Sequence, residues 1–268
     1  GFLCRQKELT SAMDAYGRQR RWRDSLVLLE ELSQCGGRAT LVVHNSAISS
    51  CGKGKAWTCA VALLESMQRH VVEADVITYS AVISACAKAE MWQESLAFLA
   101  EMQQVQLKAD LITYNTAISA CEKGGQWEQA LAMLREMLLT SIEMDVITYN
   151  SAMSACEKGE EWKKALEIMN EMQRTRIDMD VISYNAAISA CGKGQEWGQA
   201  LSLLPEIQRH GLKANKVSYS AAISACEKAA QWQQALALLR EMEQDRIEMD
   251  LIPCSATISA CEKGEEWQ

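Results

Sequence analysis

The sequence predicts an all-α protein, an α-solenoid in which helix-turn-helix repeats stack into a superhelix, and three observations lead there. Tryptophan stands at residues 22, 57, 92, 127, 162, 197, 232 and 267, so each of the eight lies 35 positions from the next. The surroundings recur in the same register. Asp145-Val146-Ile147-Thr148-Tyr149-Asn150 returns as Asp180-Val181-Ile182-Ser183-Tyr184-Asn185, and Ser119-Ala120-Cys121-Glu122-Lys123-Gly124 as Ser154-Ala155-Cys156-Glu157-Lys158-Gly159. Within each period the apolar residues follow helical spacing twice. A fixed period of about 20 to 50 residues marks stacked supersecondary units, each too small to hide its apolar faces alone. Seven full repeats are expected (6–40, 41–75, 76–110, 111–145, 146–180, 181–215 and 216–250), then a partial repeat 251–268, in a single array over 1–268. On this division residues 1–5 read as the tail of an earlier repeat and the chain as part of a longer protein.

Each element follows from one repeat, 76–110. Val76, Tyr79, Ile83 and Cys86 fall at i, i+3, i+7 and i+10, one face of a first helix, which is expected to be buried. Ile77, Ser80, Ser84 and Ala87 form a more polar adjacent stripe ending at Lys88. Asp75 precedes the pattern as an N-cap whose carboxylate accepts from free backbone N–H groups, and Asp110, Asp145, Asp180, Asn215 and Asp250 suit the same role. Gly54, Gly124, Gly159, Gly194 and Gly264 read as the helix stop, supplying a permissive backbone for a tight turn. A second helix follows, with Trp92, Leu96, Leu99 and Met102 at i, i+4, i+7 and i+10 and Gln and Glu toward solvent. The tryptophans are expected to be buried between repeats, each worth about 2–3 kcal/mol, rather than exposed to stack bases.

With 268 residues, 49% of them hydrophobic, the chain can bury a large core. No apolar run approaches the roughly 20 residues of a membrane-spanning helix, and no membrane partner is expected. Seven of the eleven cysteines (Cys51, Cys86, Cys121, Cys156, Cys191, Cys226, Cys261) share one repeat position. Equivalent helices stacked about 8–10 Å apart exceed the usual disulfide span, so buried thiols in a reducing compartment are expected. There is no Cys-x-x-Cys and no His pair at ligand spacing, so neither metal nor cofactor is expected. His44, His70 and His210 are scattered and read as surface or groove residues. Gly-Lys-Gly at 52–54 and 192–194 is too short for a phosphate loop and falls at the hairpin turn. The net charge of −8 is opposite to the basic footprint of most nucleic-acid binders. Its distribution is uneven, because Lys53, Lys88, Lys123, Lys158, Lys193, Lys228 and Lys263 recur at the end of the first helix. That ladder has two open readings, contact with phosphates and complementing of the helix dipole.

Repeat 146–180, with Val146-Ile147-Thr148-Tyr149-Asn150-Ser151-Ala152-Met153, then Cys156, Lys158-Gly159, Ala165-Leu166 and Glu171-Met172, resembles the pentatricopeptide repeat, whose period is the one found here. The tetratricopeptide repeat has a period of about 34 and places its Trp early in the first helix, whereas here Trp opens the second. Two departures stand out. The family's Pro before the last residue is replaced by Ala74, Ala109, Met144, Met179, Ala214 or Met249, and Trp occupies a site where a smaller apolar residue is commoner. Repeat 6–40 is the most divergent.

One position of the first helix varies while its surroundings hold: Thr10, Asn45, Ser80, Asn115, Asn150, Asn185, Ser220, Ser255. The last residue of each repeat reads Thr40, Asp75, Asp110, Asp145, Asp180, Asn215, Asp250. Such side chains carry the donors and acceptors that a base's Watson–Crick edge requires; caps and solvated polar side chains are the alternative. The resemblance implies that these two positions form a code of one base per repeat for single-stranded RNA. It implies that Val42, Ile77, Ile112, Ile147, Ile182 and Val217 clamp the bases. On the phosphate reading of the ladder, Lys53, Lys88, Lys123, Lys158, Lys193 and Lys228 are the expected contacts. Carried over, Asn45 with Asp75 implies uracil, Ser80 with Asp110 guanine, Asn115 with Asp145 and Asn150 with Asp180 uracil, Asn185 with Asn215 a pyrimidine, and Ser220 with Asp250 guanine. The expected core site resembles UGUU(C/U)G, its 5′ end at the N-terminal repeat. The family further implies a role in organellar RNA processing or stability, in mitochondrion or chloroplast, with proteins of an RNA-processing or ribosomal complex as further partners. A second reading is a protein-interaction scaffold using the same groove. No enzyme is expected: the chain has no His-x-Glu with a downstream Cys-x-x-Cys and no clustered catalytic carboxylates.

Overall fold

The computed structural model describes residues 2–34 and 37–264, and among these every regular element is an α-helix. In order they are α1 (Phe2–Arg18), α2 (Trp22–Gln34), α3 (Leu41–Lys53), α4 (Trp57–Arg69), α5 (Val76–Lys88), α6 (Trp92–Gln104), α7 (Leu111–Lys123), α8 (Trp127–Leu139), α9 (Val146–Lys158), α10 (Trp162–Arg174), α11 (Val181–Lys193), α12 (Trp197–Arg209), α13 (Lys216–Lys228), α14 (Trp232–Gln244) and α15 (Leu251–Lys263). Trp267, in the partial repeat, lies outside the described residues. Described helix α1 spans 17 residues and begins at Phe2, so 2–5 continue a helix that the sequence division had placed in an earlier repeat. No described helix is long and apolar enough to cross a membrane.

The chain forms two compact bodies, Gly1–Gly124 with Leu139–Ile142, and Gly125–Leu138 with Glu143–Gln268. Inside each, packing is local in sequence. In the first, α1 lies against α3, α3 against α5 and α5 against α7, while α2, α4 and α6 each cover their own hairpin partner or the first helix of the next repeat. In the second, α9, α11, α13 and α15 pack in succession, with α10, α12 and α14 as the outer layer.

Sequence explains the close approach of the first helices. Ala85, Ala120, Ala155, Ala190 and Ala225 are fully buried beside Cys86, Cys121, Cys156, Cys191 and Cys226, and these small side chains let neighbouring helices meet. Tyr79, Tyr114, Tyr149, Tyr184 and Tyr219 fill the larger spaces. The described cysteines are free thiols; Cys51, Cys86, Cys121, Cys156, Cys191 and Cys226 are buried as expected, Cys261 in the last described helix is only half-buried, and burial pushes Cys121 and Cys156 up to about 12. Ala87, assigned by spacing to the polar stripe, is buried as well.

Helix starts are built as the spacing predicts. Asp75 Oδ1 accepts from the backbone N–H of Thr78 at 2.9 Å while the Asp75 N–H donates to Thr78 Oγ1 at 3.2 Å, a reciprocal capping box. Asp145, Asp180 and Asn215 repeat it with Thr148, Ser183 and Ser218. Asp110 caps through Thr113, and Asp250 accepts from the N–H of Ile252.

Helix ends differ from expectation. Gly159 has φ −81°, a negative value open to any residue, and the left-handed residue is the next one, Glu160, at φ 60°. The N–H of Glu161 then reaches back to Cys156 O at 2.9 Å, closing the turn in the Schellman manner. Glycine recurs here for lack of a side chain rather than for its φ. A β-carbon on Gly124 would sit 2.5 Å from Trp92 Cδ1, and one on Gly54, Gly159, Gly194 or Gly264 would overlap Trp22, Trp127, Trp162 or Trp232. Trp22, Trp92, Trp127, Trp162 and Trp232 therefore each lie against the hairpin turn of the following repeat. The described tryptophans are half-buried, not enclosed as expected.

Candidate nucleic-acid interface

Three rows of side chains run along the first helices of the repeats. The first is apolar and unpartnered: Val42, Ile77, Ile112, Ile147, Ile182 and Val217 are 58–69% exposed, unusual for residues in the opening turn of a packed helix. Ile252, one step further along, belongs to the same row at 62%.

Beside it lies the polar row. Asn45 Nδ2 donates to Asp75 Oδ1 at 3.3 Å, and the Thr78 hydroxyl lies 2.7 Å from Asn45 Oδ1 and 2.8 Å from Asp75 Oδ1. The second body repeats the link, Asn150 Nδ2 to Asp180 Oδ1 at 3.1 Å and Asn185 Nδ2 to Asn215 Oδ1 at 3.4 Å. Thus the N-cap and the variable residue one repeat before it form one hydrogen-bonded pair, and capping and pairing are not alternatives. Ser80 joins differently: its hydroxyl donates to Val76 O at 2.7 Å and lies 2.6 Å from Thr113 Oγ1, which is itself 2.6 Å from Asp110 Oδ1. Asp250 departs from the pattern and is held by Lys216 Nζ at 2.6 Å. The Asn and Ser members are half-buried, and Asn150 Oδ1 is enclosed without a hydrogen-bond partner among the described residues. Desolvation acts to raise the Asp75 and Asp180 carboxyls, but the backbone N–H and side-chain donors around them outweigh it and hold both below the usual carboxylate range.

The third row is cationic. Lys123 Nζ donates to Ala87 O at 3.2 Å, capping the end of α5, whereas Lys193 pairs with Glu157 at 3.3 Å and Lys263 with Glu227 at 3.0 Å. In those pairs the carboxylate comes from the end of the first helix one repeat earlier. Arg18, at the end of α1, occupies the same 35-residue step as Lys53. Sequence reading passed over it because repeat 6–40 preserves so little of the surrounding pattern.

The histidines are better satisfied than expected. His44 is buried with Nδ1 3.1 Å from Thr40 O, His70 Nδ1 lies 2.8 Å from Ser66 O, and His210 Nδ1 lies 2.9 Å from Tyr184 Oη and 3.0 Å from Glu206 O. Burial lowers the His44 pKa, opposed by the bond to Thr40.

These rows repeat with the same step as a known family. The sequence model of the PPR repeat family matches residues 75–123, 109–158, 144–193 and 179–228, and that of the PPR repeat matches 9–37 and 217–247. The chain belongs to the PPR repeat family. Solved PPR structures share the fold at low identity. The pentatricopeptide repeat protein PPR10 from maize superposes with a TM-score of 0.61 at 20% identity, over 96% of this chain and 47% of that one. PPR10 in complex with an 18-nt psaJ RNA element gives 0.51 at 18% identity, over 97% and 52%. The PPR domain of Arabidopsis thaliana protein-only RNase P 1, in complex with tRNA, gives 0.57 at 11% identity, over 68% and 95%. The chain spans about half the length of PPR10. A search of curated proteins returned no match.

Proposed function

We propose that this PPR protein binds single-stranded RNA in a sequence-specific manner, one base per repeat, as a binding protein and not an enzyme. The observation that carries the reading is the fixed polar pair set beside an exposed apolar side chain on successive first helices. An apolar residue with no intramolecular partner suits a base's face, and a held polar pair suits its edge. The RNA complexes of the PPR-fold structures support the same class of ligand.

Donor and acceptor counting supports the base preferences. Asn45 keeps one amide hydrogen and one carbonyl lone pair after bonding Asp75 and Thr78, a donor beside an acceptor, which matches uracil's mixed edge. Ser80 spends its hydrogen on Val76 O and offers acceptor capacity, which matches the donor-rich edge of guanine. The proposed core site is UGUU(C/U)G, read by Asn45 and Asp75, Ser80 and Asp110, Asn115 and Asp145, Asn150 and Asp180, Asn185 and Asn215, Ser220 and Asp250. The organelle, mitochondrion or chloroplast, and a role in transcript processing or stability belong to the same proposal.

Titration of that oligonucleotide against a scrambled one of equal composition tests the site, with tighter binding of the ordered sequence expected. Equal binding of the two sinks the code. Ser80→Asn should move the preference at the second base from guanine to uracil. The acidity of the chain favours a second reading, a scaffold that seats a peptide on the same exposed apolar row. Capture of partners with and without ribonuclease separates the two, since RNA-bridged partners disappear with the nuclease.

A further inference from the structure

The cationic row is not uniform, and its N-terminal end is a built cavity. In the first body a solvent-open cavity of about 510 Å³ is lined by Arg18, Arg20, Lys53, Lys55, Lys88 and Lys123, with Glu90 as its one acid. Arg18, Lys53, Lys88 and Lys123 are successive members of the ladder. Arg20 and Lys55 form a second row two residues on, at the left-handed turn residue with φ 59° and 58°. The equivalent positions later in the chain hold Glu90, Gly125, Glu160, Gln195 and Ala230, so the doubling is confined to the first two repeats.

What precedes each ladder residue matters as much. Gly17, Gly52 and Ala87 stand where later repeats carry Glu122, Glu157 and Glu227. Glu157 and Glu227 each neutralise the lysine one repeat onward, and Gly17, Gly52 and Ala87 leave Lys53, Lys88 and Lys123 without that carboxylate. Lys228, after Gly192, escapes it too, but has Ala230 rather than a cation beside it. Five of the six cations around the cavity, all but Lys123, have no ion pair or hydrogen bond among the described residues. Lys88 is held below the ordinary lysine range, first by desolvation and then by Lys53 and Lys123, so these three charges sense one another.

We infer that this cavity is a polyanion site that holds consecutive phosphate groups, and that it anchors a bound strand through its backbone while the later rungs contribute little. Unsatisfied like charges gathered around a cavity are stabilised by an anion, and a row of four with a parallel row of two fits a chain of phosphates better than one small ion. The identity of the strand as RNA rests on the proposed function; the site for phosphates does not.

Two titrations of the intact chain test it. Tripolyphosphate followed by calorimetry should bind saturably, and Lys88→Gln should weaken it by about tenfold, the loss typical of one charged hydrogen bond, while Lys108→Gln on the loop before α7 changes it by less than about twofold. For the UGUU(C/U)G oligonucleotide, Arg20→Gln with Lys55→Gln should lower the slope of log affinity against log salt by about 1 to 1.5, and Lys108→Gln should leave it unchanged. All four substitutions sit on exposed side chains, and circular dichroism confirms that the variants fold. No tripolyphosphate binding, or equal losses in Lys88→Gln and Lys108→Gln, overturns the site. Tripolyphosphate binding without oligonucleotide binding keeps the site and removes the RNA reading; the reverse removes the site alone.

Discussion

Asp180 carries two duties on one carboxylate, accepting from the N–H of Ser183 at 2.8 Å and from Asn150 Nδ2 at 3.1 Å. Replacing it separates them. Asp180→Ala removes both and should destabilise the chain by about 1–2 kcal/mol, the range for lost N-caps. Asp180→Asn keeps the cap, as Asn215 does naturally, and should cost little at neutral pH while relaxing the base preference from uracil toward either pyrimidine. The two also differ in acid. Because the folded pKa of Asp180 is depressed, its contribution is present above the ordinary carboxylate value and is lost as pH falls through the lower, folded value. Urea midpoints measured from pH 6 down to about 3 should fall less steeply for Asp180→Asn than for the parent. Parallel curves would mean that the carboxylate's charge is not held by these donors. The buried thiols behave oppositely. Burial raises Cys121 and Cys156 to about 12, so their stabilising contribution is intact below the unfolded thiol value, near about 8.5, and is lost as pH rises beyond it. Native-state alkylation at pH 8 should label half-buried Cys59 and Cys254 well before either; fast labelling of Cys121 would contradict its enclosure.

At the scale of the element, the contact that repeats is a tryptophan ring on a glycine turn. Gly159→Val should cost about 2–3 kcal/mol by overpacking against Trp127, and Gly159→Ala about 1, since Ala89 and Ala229 occupy the equivalent step in two natural repeats. Trp127→Ala should cost about 2–3 kcal/mol, below the range for a fully enclosed ring, because the ring is half-buried. Urea unfolding of the three variants checks the order; a neutral Gly159→Val would show that the ring has room to leave. Helix starts were legible in the sequence because Asp followed by Thr or Ser three residues later states its own hydrogen bonds. Helix ends were misread. The left-handed residue is Glu160, Gln195 or Ala230, a position with no recurrent side chain, while the recurrent glycine beside it answers to a ring distant in sequence. Periodicity likewise told which way Trp127 faces but not how deeply it sits. The polar row was found by its variation among near-identical neighbours, but its links to Thr78 or Ser218, one repeat onward, were invisible because spacing within a repeat does not say which side chains meet across two.

For the whole molecule, the net charge of −8 stands against binding any polyanion, and the ion pairs say where that opposition is strongest. Glu157 and Glu227 lie within 3.3 and 3.0 Å of Lys193 and Lys263, so each cancels a cation on the very row proposed to meet phosphate. Acids on the second helices, such as Glu128 on α8 and Glu243 on α14, are exposed and belong to another layer. Glu157→Gln with Glu227→Gln removes two negative charges, taking −8 to −6, and so does Glu128→Gln with Glu243→Gln. Were RNA affinity governed by net charge alone, the two doubles would gain equally. A screened solution separates the cases, because charges further apart than about 8–10 Å hardly interact at physiological salt. The first double frees two ladder lysines and should steepen the salt dependence of oligonucleotide binding by about 1 to 1.5, with tighter binding at low salt. The second should leave the slope unchanged. Equal slopes in the two doubles would show that these lysines do not face the strand even when unpaired, and would return Glu157 and Glu227 to the ordinary role of tying the end of one repeat to the next.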